Sequence, residues 1–169
     1  MAIGKQDATH LLIEDHRKVE DLFEQFEKAS GDGRKEKLAR QICMELKIHS
    51  MIEEEIFYPA LRGKISDDDL DEAYVEHDGA KLLINEIEAG GADEDFYEAK
   101  VKVLQEQIEH HIEEEEKSRG NLFQQARAAD VDLETLGEQM AARKAELMDL
   151  ALSQGLPPAQ PATMQHEGA

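Results

Sequence analysis

Two His-x-x-x-Glu pairs, His49/Glu53 and His111/Glu115, constrain this chain more than any other feature. On an α-helix a spacing of four puts imidazole and carboxylate on one face, one turn apart. In both pairs that face is otherwise apolar. Leu38, Ile42 and Leu46 or its neighbour lead to the first pair, with Phe57 beyond it. Tyr97, Val101, Leu104 and Ile108 lead to the second, with Leu122 beyond it. Two more stripes each carry a lone histidine. One reads Leu12, His16, Val19, Phe23, Phe26; the other reads Leu70, Ala73 or Tyr74, His77, Ala80 or Lys81, Ile84, Ile87. Helices of this kind bury their stripes together, which would bring four imidazoles and two carboxylates to one centre.

Such a centre is unfavourable without a cation, because a buried carboxylate with no partner costs several kcal/mol or stays protonated. Any one of these histidines taken alone reads first as a hydrogen-bonded core residue. The acidic runs Glu53-Glu-Glu55 and Glu113-Glu-Glu-Glu116 taken alone read as solvated faces. Six residues in one register on four helices point instead to a metal pair. Mixed imidazole and carboxylate donors suit iron, zinc or manganese.

In chain order, a first helix is expected from an N-cap at Asp7 to about Ala29, and a second from about Arg34 to Arg62. Pro59 should kink or loosen the last turn of the second. Ser66-Asp-Asp-Asp69 reads as a capping box that opens a third helix, ended by Gly90-Gly91. A fourth starts near Asp93 and is broken or bent at Gly120-Asn121. A shorter fifth runs from about Asp132 to Leu152, and the Pro/Ala/Gln-rich stretch from Gly155 to Ala169 reads as disordered. The expected fold is all-α: an up-down-up-down four-helix bundle over residues 1–128, an additional C-terminal helix over 129–154 that caps the bundle or serves as a contact surface, and a tail over 155–169.

The remaining histidines fall elsewhere. His10 lies off the first stripe and His166 lies in the tail, so both read as surface residues. His110 competes with His111, but the register through residues 101, 104 and 108 selects His111 and leaves His110 beside the site. Ile13, Leu46, Tyr74 and Ile108 stand three residues before the four stripe histidines, so the Glu-x-x-His motif of ferritin-like di-iron bundles is missing. Phosphate-binding glycine loops and Gly-x-Ser-x-Gly are absent too. Cys43 is the single cysteine, which excludes an intramolecular disulfide and a cysteine-cage zinc site; it reads as a packed thiol rather than a nucleophile. A net charge of −20 argues against nucleic acid and anionic membranes as partners. No apolar leader region or 20-residue apolar span is seen, and a cytoplasmic location is expected.

The order His, His-x-x-x-Glu, His, His-x-x-x-Glu is similar to that of the hemerythrin-like HHE cation-binding domains. The resemblance runs over roughly residues 7 to 126. It rests on His16 within Glu14-Asp-His-Arg-Lys-Val19, on His49 and Glu53 followed by Phe57 and Pro59, on His77 within Val75-Glu-His77, and on His111 and Glu115 within Glu109-His-His-Ile-Glu-Glu-Glu116. It implies a bundle holding two non-heme irons joined by an oxo or hydroxo bridge. Glu53 and Glu115 would bridge, and the four histidines would be terminal ligands. Oxygen-carrying members of the family have a fifth histidine where this chain has Ala73, and Phe-x-Pro does not follow the second pair. The resemblance therefore implies an open position on one iron, with Tyr74 a candidate to fill it. The expected partner is a small oxidant: dioxygen, hydrogen peroxide or nitric oxide. The expected roles are binding or sensing, peroxide decomposition, or iron storage.

Overall fold

The structure, a computed structural model, describes residues 6–164. Helix α1 (Ala8–Lys28) opens on Asp7, whose carboxylate accepts from the His10 amide as expected of an N-cap. Helix α2 (Asp32–Ile52) runs without a break into a π-helical turn, Glu53–Phe57, and then α3 (Tyr58–Leu61). Helix α4 (Asp67–Ala89) is capped by Ser66, which accepts from the Asp69 amide. Helix α5 (Tyr97–Ile112) leads into a second π-helical turn, Glu113–Lys117. A short α6 (Leu122–Ala128) and the longer α7 (Leu133–Ser153) follow.

The long helices of the bundle are α1, α2, α4 and α5, and the all-α expectation holds. Two boundaries differ from it. The fourth helix starts at Tyr97, because Phe96 stands in the left-handed region (φ 67°) and closes a preceding turn. It stops at Ser118, before Gly120, because the Ser118 amide closes the π turn onto the Glu113 carbonyl and Ser118 itself is extended. The chain restarts at Asn121, whose side chain caps α6 through the Gln124 amide.

Two apolar clusters fill the interior. One includes Leu12, Ile48, Ile52, Phe57, Leu70 and Phe123; the other includes Val19, Phe23, Leu46, Ala80, Ile84 and Leu104. On α1, α2 and α4 the stripe histidine falls between a member of one cluster and a member of the other, and beyond His111 the first of the two resumes at Leu122 on α6. The centre is thereby walled off from water above and below. Each buried leucine or phenylalanine removes enough apolar surface to contribute about 1.5–3 kcal/mol.

Helix α7 lies along α1 and α2. Gly137 permits the approach: a Cβ there would stand 2.7 Å from the Gln6 carbonyl oxygen. Arg143 holds Glu55 at 2.8 Å, and Lys144 pairs with Asp15. Past α7, residues 155–164 form no regular secondary structure, but they are not loose. Asp78 accepts from the amides of Ala162, Thr163 and Met164 at 2.7–2.8 Å. Lys81 donates to the Gln160 carbonyl, and Asn85 exchanges two bonds with Ala159. The expectation of a disordered tail is thus met here only in the lack of helix, because side chains of α4 satisfy the tail's backbone groups. Residues 165–169, His166 included, lie outside the described residues.

Candidate metal centre

Helices α1, α2, α4 and α5 bring His16, His49, His77 and His111 together with Glu53 and Glu115, all six buried. The imidazole Nε2 atoms face inward. His49 Nε2 stands 2.9 Å from Glu53 Oε1, and His111 Nε2 stands 2.8 Å from Glu115 Oε1. Each carboxylate oxygen also reaches the other side of the bundle. Glu53 Oε1 lies 3.3 Å from His77 Nε2, and Glu115 Oε1 lies 3.4 Å from His16 Nε2. Two groups of converging donors result, His16/His49/Glu115 and His77/His111/Glu53, each with its atoms within 4.8 Å of one another. His16 Nε2, His49 Nε2, both oxygens of Glu53 and Glu115 Oε1 are buried without a hydrogen bond. Such orphaned atoms are costly in an apolar interior, and a cation bound among them would satisfy all five.

Both carboxylates lie inside π-helical turns, closed by the Tyr58 amide on the Glu53 carbonyl and the Ser118 amide on the Glu113 carbonyl. Such turns are rare and gather at functional sites. Pro59, with no N–H to return to the Glu55 carbonyl, accounts for the first. The second has no proline, and nothing in its sequence announces it.

The outward Nδ1 atoms are all engaged. Asp15 on α1 meets His49 at 3.0 Å; Glu54, after α2, meets His77 at 2.9 Å; Glu76 on α4 meets His111 at 3.0 Å; Glu116, after α5, meets His16 at 3.2 Å. Each carboxylate is the sequence neighbour of one site residue and serves the histidine of the next helix, so the four contacts close a ring around the bundle. A carboxylate on Nδ1–H leaves the Nε2 lone pair free to face the centre. Beyond the ring stand cations: Lys144 on Asp15, Lys81 on Glu54 and Arg17 on Glu116. Glu76 differs, since its outer partner is His110, at 3.3 Å. His110 therefore stands beside the site, as the sequence implied, while His10 is exposed.

Protons take up part of the charge when no metal is bound. Burial opposes protonation of His49, yet the Glu53 charge and the Asp15 bond outweigh it and lift its pKa to about 10. His111 is raised well above the ordinary imidazole range against the same burial, chiefly by Glu115. Burial also works against ionised Glu115, but His111 and His16 hold it well below the usual carboxylate range.

Sequence reasoning missed Tyr58. This buried phenol donates to Glu115 Oε2 at 2.9 Å and stands 3.3 and 3.4 Å from the Nε2 atoms of His77 and His111. Burial and the charges of Glu115 and Glu53 push its pKa well above the ordinary value, so it keeps its proton. Tyr74, the expected candidate, packs edge-on against Tyr58 with ring centroids 5.2 Å apart, under the Arg62 guanidinium. The signal for Tyr58 was its position five residues after Glu53, the number of residues a π turn spans. Cys43 is buried, and burial lifts its thiol pKa to about 12.

This donor set belongs to a known class. Residues 7–119 match the hemerythrin HHE cation-binding domain, and the chain belongs to that family. Its fold is similar to the crystal structure of a hemerythrin HHE cation-binding domain-containing protein from Mycobacterium kansasii, with a TM-score of 0.74, 25% identity, and coverage of 89% of this chain and 95% of that one. It is also 28% identical over 102 residues to a protein of Nostoc sp. named DNA nickase; the match spans 60% of this chain and only 29% of the relative.

Proposed function

We propose that this chain is a non-heme di-iron protein that binds and processes a small oxidant: dioxygen, hydrogen peroxide or nitric oxide. One observation carries the reading. Four Nε2 atoms and two carboxylates converge in a buried cluster, five of whose atoms have no hydrogen-bond partner beyond the cluster among the described residues. His16, His49 and Glu115 would hold one iron and His77, His111 and Glu53 the other, with both carboxylates spanning the pair. Imidazole with carboxylate suits iron, and the family is one of cation binders. When bound, the irons supply the electrons exchanged with the oxidant.

The protein's own groups do the rest. The ring of outer carboxylates fixes each imidazole's tautomer and orientation. An apolar cavity of about 30 Å³, lined by the four imidazoles with Leu46 and Ile84 among others, leaves room for a small molecule beside them. Tyr58 holds a proton at Glu115 Oε2, close to both His77 and His111. That hydroxyl supports peroxide decomposition over simple storage, as a hydrogen-bond donor beside the centre.

The reading places the protein away from nucleic acid and membranes, on the strength of its −20 charge. None of the described helices is long and apolar enough to cross a membrane. The nickase name belongs to a much longer relative, and the acidic surface here does not suit a phosphate backbone. A reducing compartment such as the cytoplasm fits a single buried thiol.

Metal analysis with optical spectra before and after hydrogen peroxide tests the proposal. Two irons per chain, near-ultraviolet bridge bands and gas evolution are expected. A persistent visible adduct under oxygen would favour a carrier or sensor. Trace metal alone, in protein produced with iron available, would overturn the proposal.

A further inference from the structure

The ring of outer carboxylates is regular except at one place. Asp15, Glu54 and Glu116 each carry a Lys or Arg on the side away from the histidine they serve. Among the described residues Glu76 has no such cation. One of its oxygens lies 3.0 Å from His111 Nδ1, and the other lies 3.3 Å from the exposed imidazole of His110. Glu114 approaches the same His110 Nε2 at 3.2 Å, with its side chain 40% exposed. An imidazole nitrogen and two carboxylates, drawn from α4, α5 and the second π turn, thus converge at the surface.

A cleft of about 220 Å³ opens beside this group. Asp69, Glu72, Glu76 and Glu114 line it, against a single cation, Arg119. Its floor reaches Glu115, 1% exposed, whose Oε1 accepts no hydrogen bond. An acidic passage with low-dielectric walls concentrates cations and repels anions.

We propose that Glu76, His110 and Glu114 form a surface site for a divalent transition-metal ion at the rim of this cleft, and that metal reaches the buried centre through it. The ion supplies at Glu76 the positive charge that Lys or Arg supplies at the other three carboxylates. An imidazole with two carboxylates suits such an ion, and the exposure of His110 leaves it open to exchange. The delivery step rests on the proposed di-metal centre; the surface site itself does not.

The test uses this chain, cobalt(II) as probe, and the variants His110→Ala, at an exposed position, and Glu114→Gln, at a half-buried one. Titration of the metal-loaded parent should show one further cobalt ion per chain, lost in both variants. Loading of metal-free protein, followed by the visible bands of cobalt(II), should slow about tenfold in the variants, in line with electrostatic steering of cations, and still reach the parental end point. No further ion on the loaded parent, or variants that load at the parental rate, would overturn the proposal. Failure of the buried centre reads differently: the parent would then bind no cobalt that survives both substitutions.

Discussion

Glu53 and Glu115 hold equivalent places in the two His-x-x-x-Glu pairs, yet their surroundings differ. The site imidazoles of His49 and His77 approach Glu53, whereas Glu115 Oε2 also keeps a hydrogen bond from Tyr58. The helix after Glu53 continues into α3 and carries Tyr58 across to the other carboxylate, while the helix after Glu115 ends at Ser118. The first pair therefore supplies the second with its donor and receives none in return. Glu53 depends on the imidazoles and on whatever cation they hold.

The largest effect expected from breaking this comparison is loss of metal. Glu53→Ala and Glu115→Ala should each reduce bound metal to trace, because each carboxylate spans both groups of histidines. Elemental analysis decides it, and one ion retained by either variant would show that the carboxylates are not shared.

The pH response is expected to be smaller and to sharpen the contrast between metal-free and loaded protein. His49 has a folded pKa of about 10, above its ordinary value. Its stabilising contribution is complete below the unfolded imidazole pKa of about 6.5 and fades as pH rises through the folded value. Metal-free protein should lose unfolding temperature between those limits. Loaded protein should not, since metal holds the imidazole neutral, and apparent metal affinity should rise with pH as bound protons become easier to displace. A flat affinity from pH 6 to 9 would contradict protonated imidazoles in the metal-free centre.

Tyr58→Phe should have the smallest effect. It removes one hydrogen bond to the ionised Glu115 and leaves the ring packing, so metal-free stability should fall by about 1.5–3 kcal/mol with metal content unchanged. Slowed peroxide decomposition in that variant would mark the hydroxyl as a proton source; an unchanged rate would leave it a structural donor.

The six central residues were legible because a histidine in an apolar stripe fixes its own register. His16 between Leu12 and Val19 can point only inward on a helix buried along that face. The caps at Asp7 and Ser66 were legible for a similar reason, since short polar side chains before a helical run have few other uses. The ring of outer carboxylates was not. Asp15, Glu54, Glu76 and Glu116 lie among other acids in a chain with 39 of them, and each serves a histidine on another helix, a relation that no spacing along the chain records. The π turns were hidden as well, because α-helical spacing describes the residues on either side of them equally well. The contacts of residues 159–164 with α4 were not legible either, because composition reports what a segment can bury and not what a neighbour can offer its backbone.

That last segment is recognised almost wholly through its main chain. Asp78, Lys81 and Asn85 form a ladder on α4 that takes up amides and carbonyls from Ala159 to Met164, with the Thr163 hydroxyl the one side chain it also bonds. Pro157, Pro158 and Pro161 fall where no N–H is required of them, and their fixed backbones reduce the entropy lost when the strand settles. A segment held this way tolerates wide change in its letters provided its donors keep their places. Its drift should be bounded by where proline is forbidden, at residues 159, 162, 163 and 164, more than by anything hydrophobic.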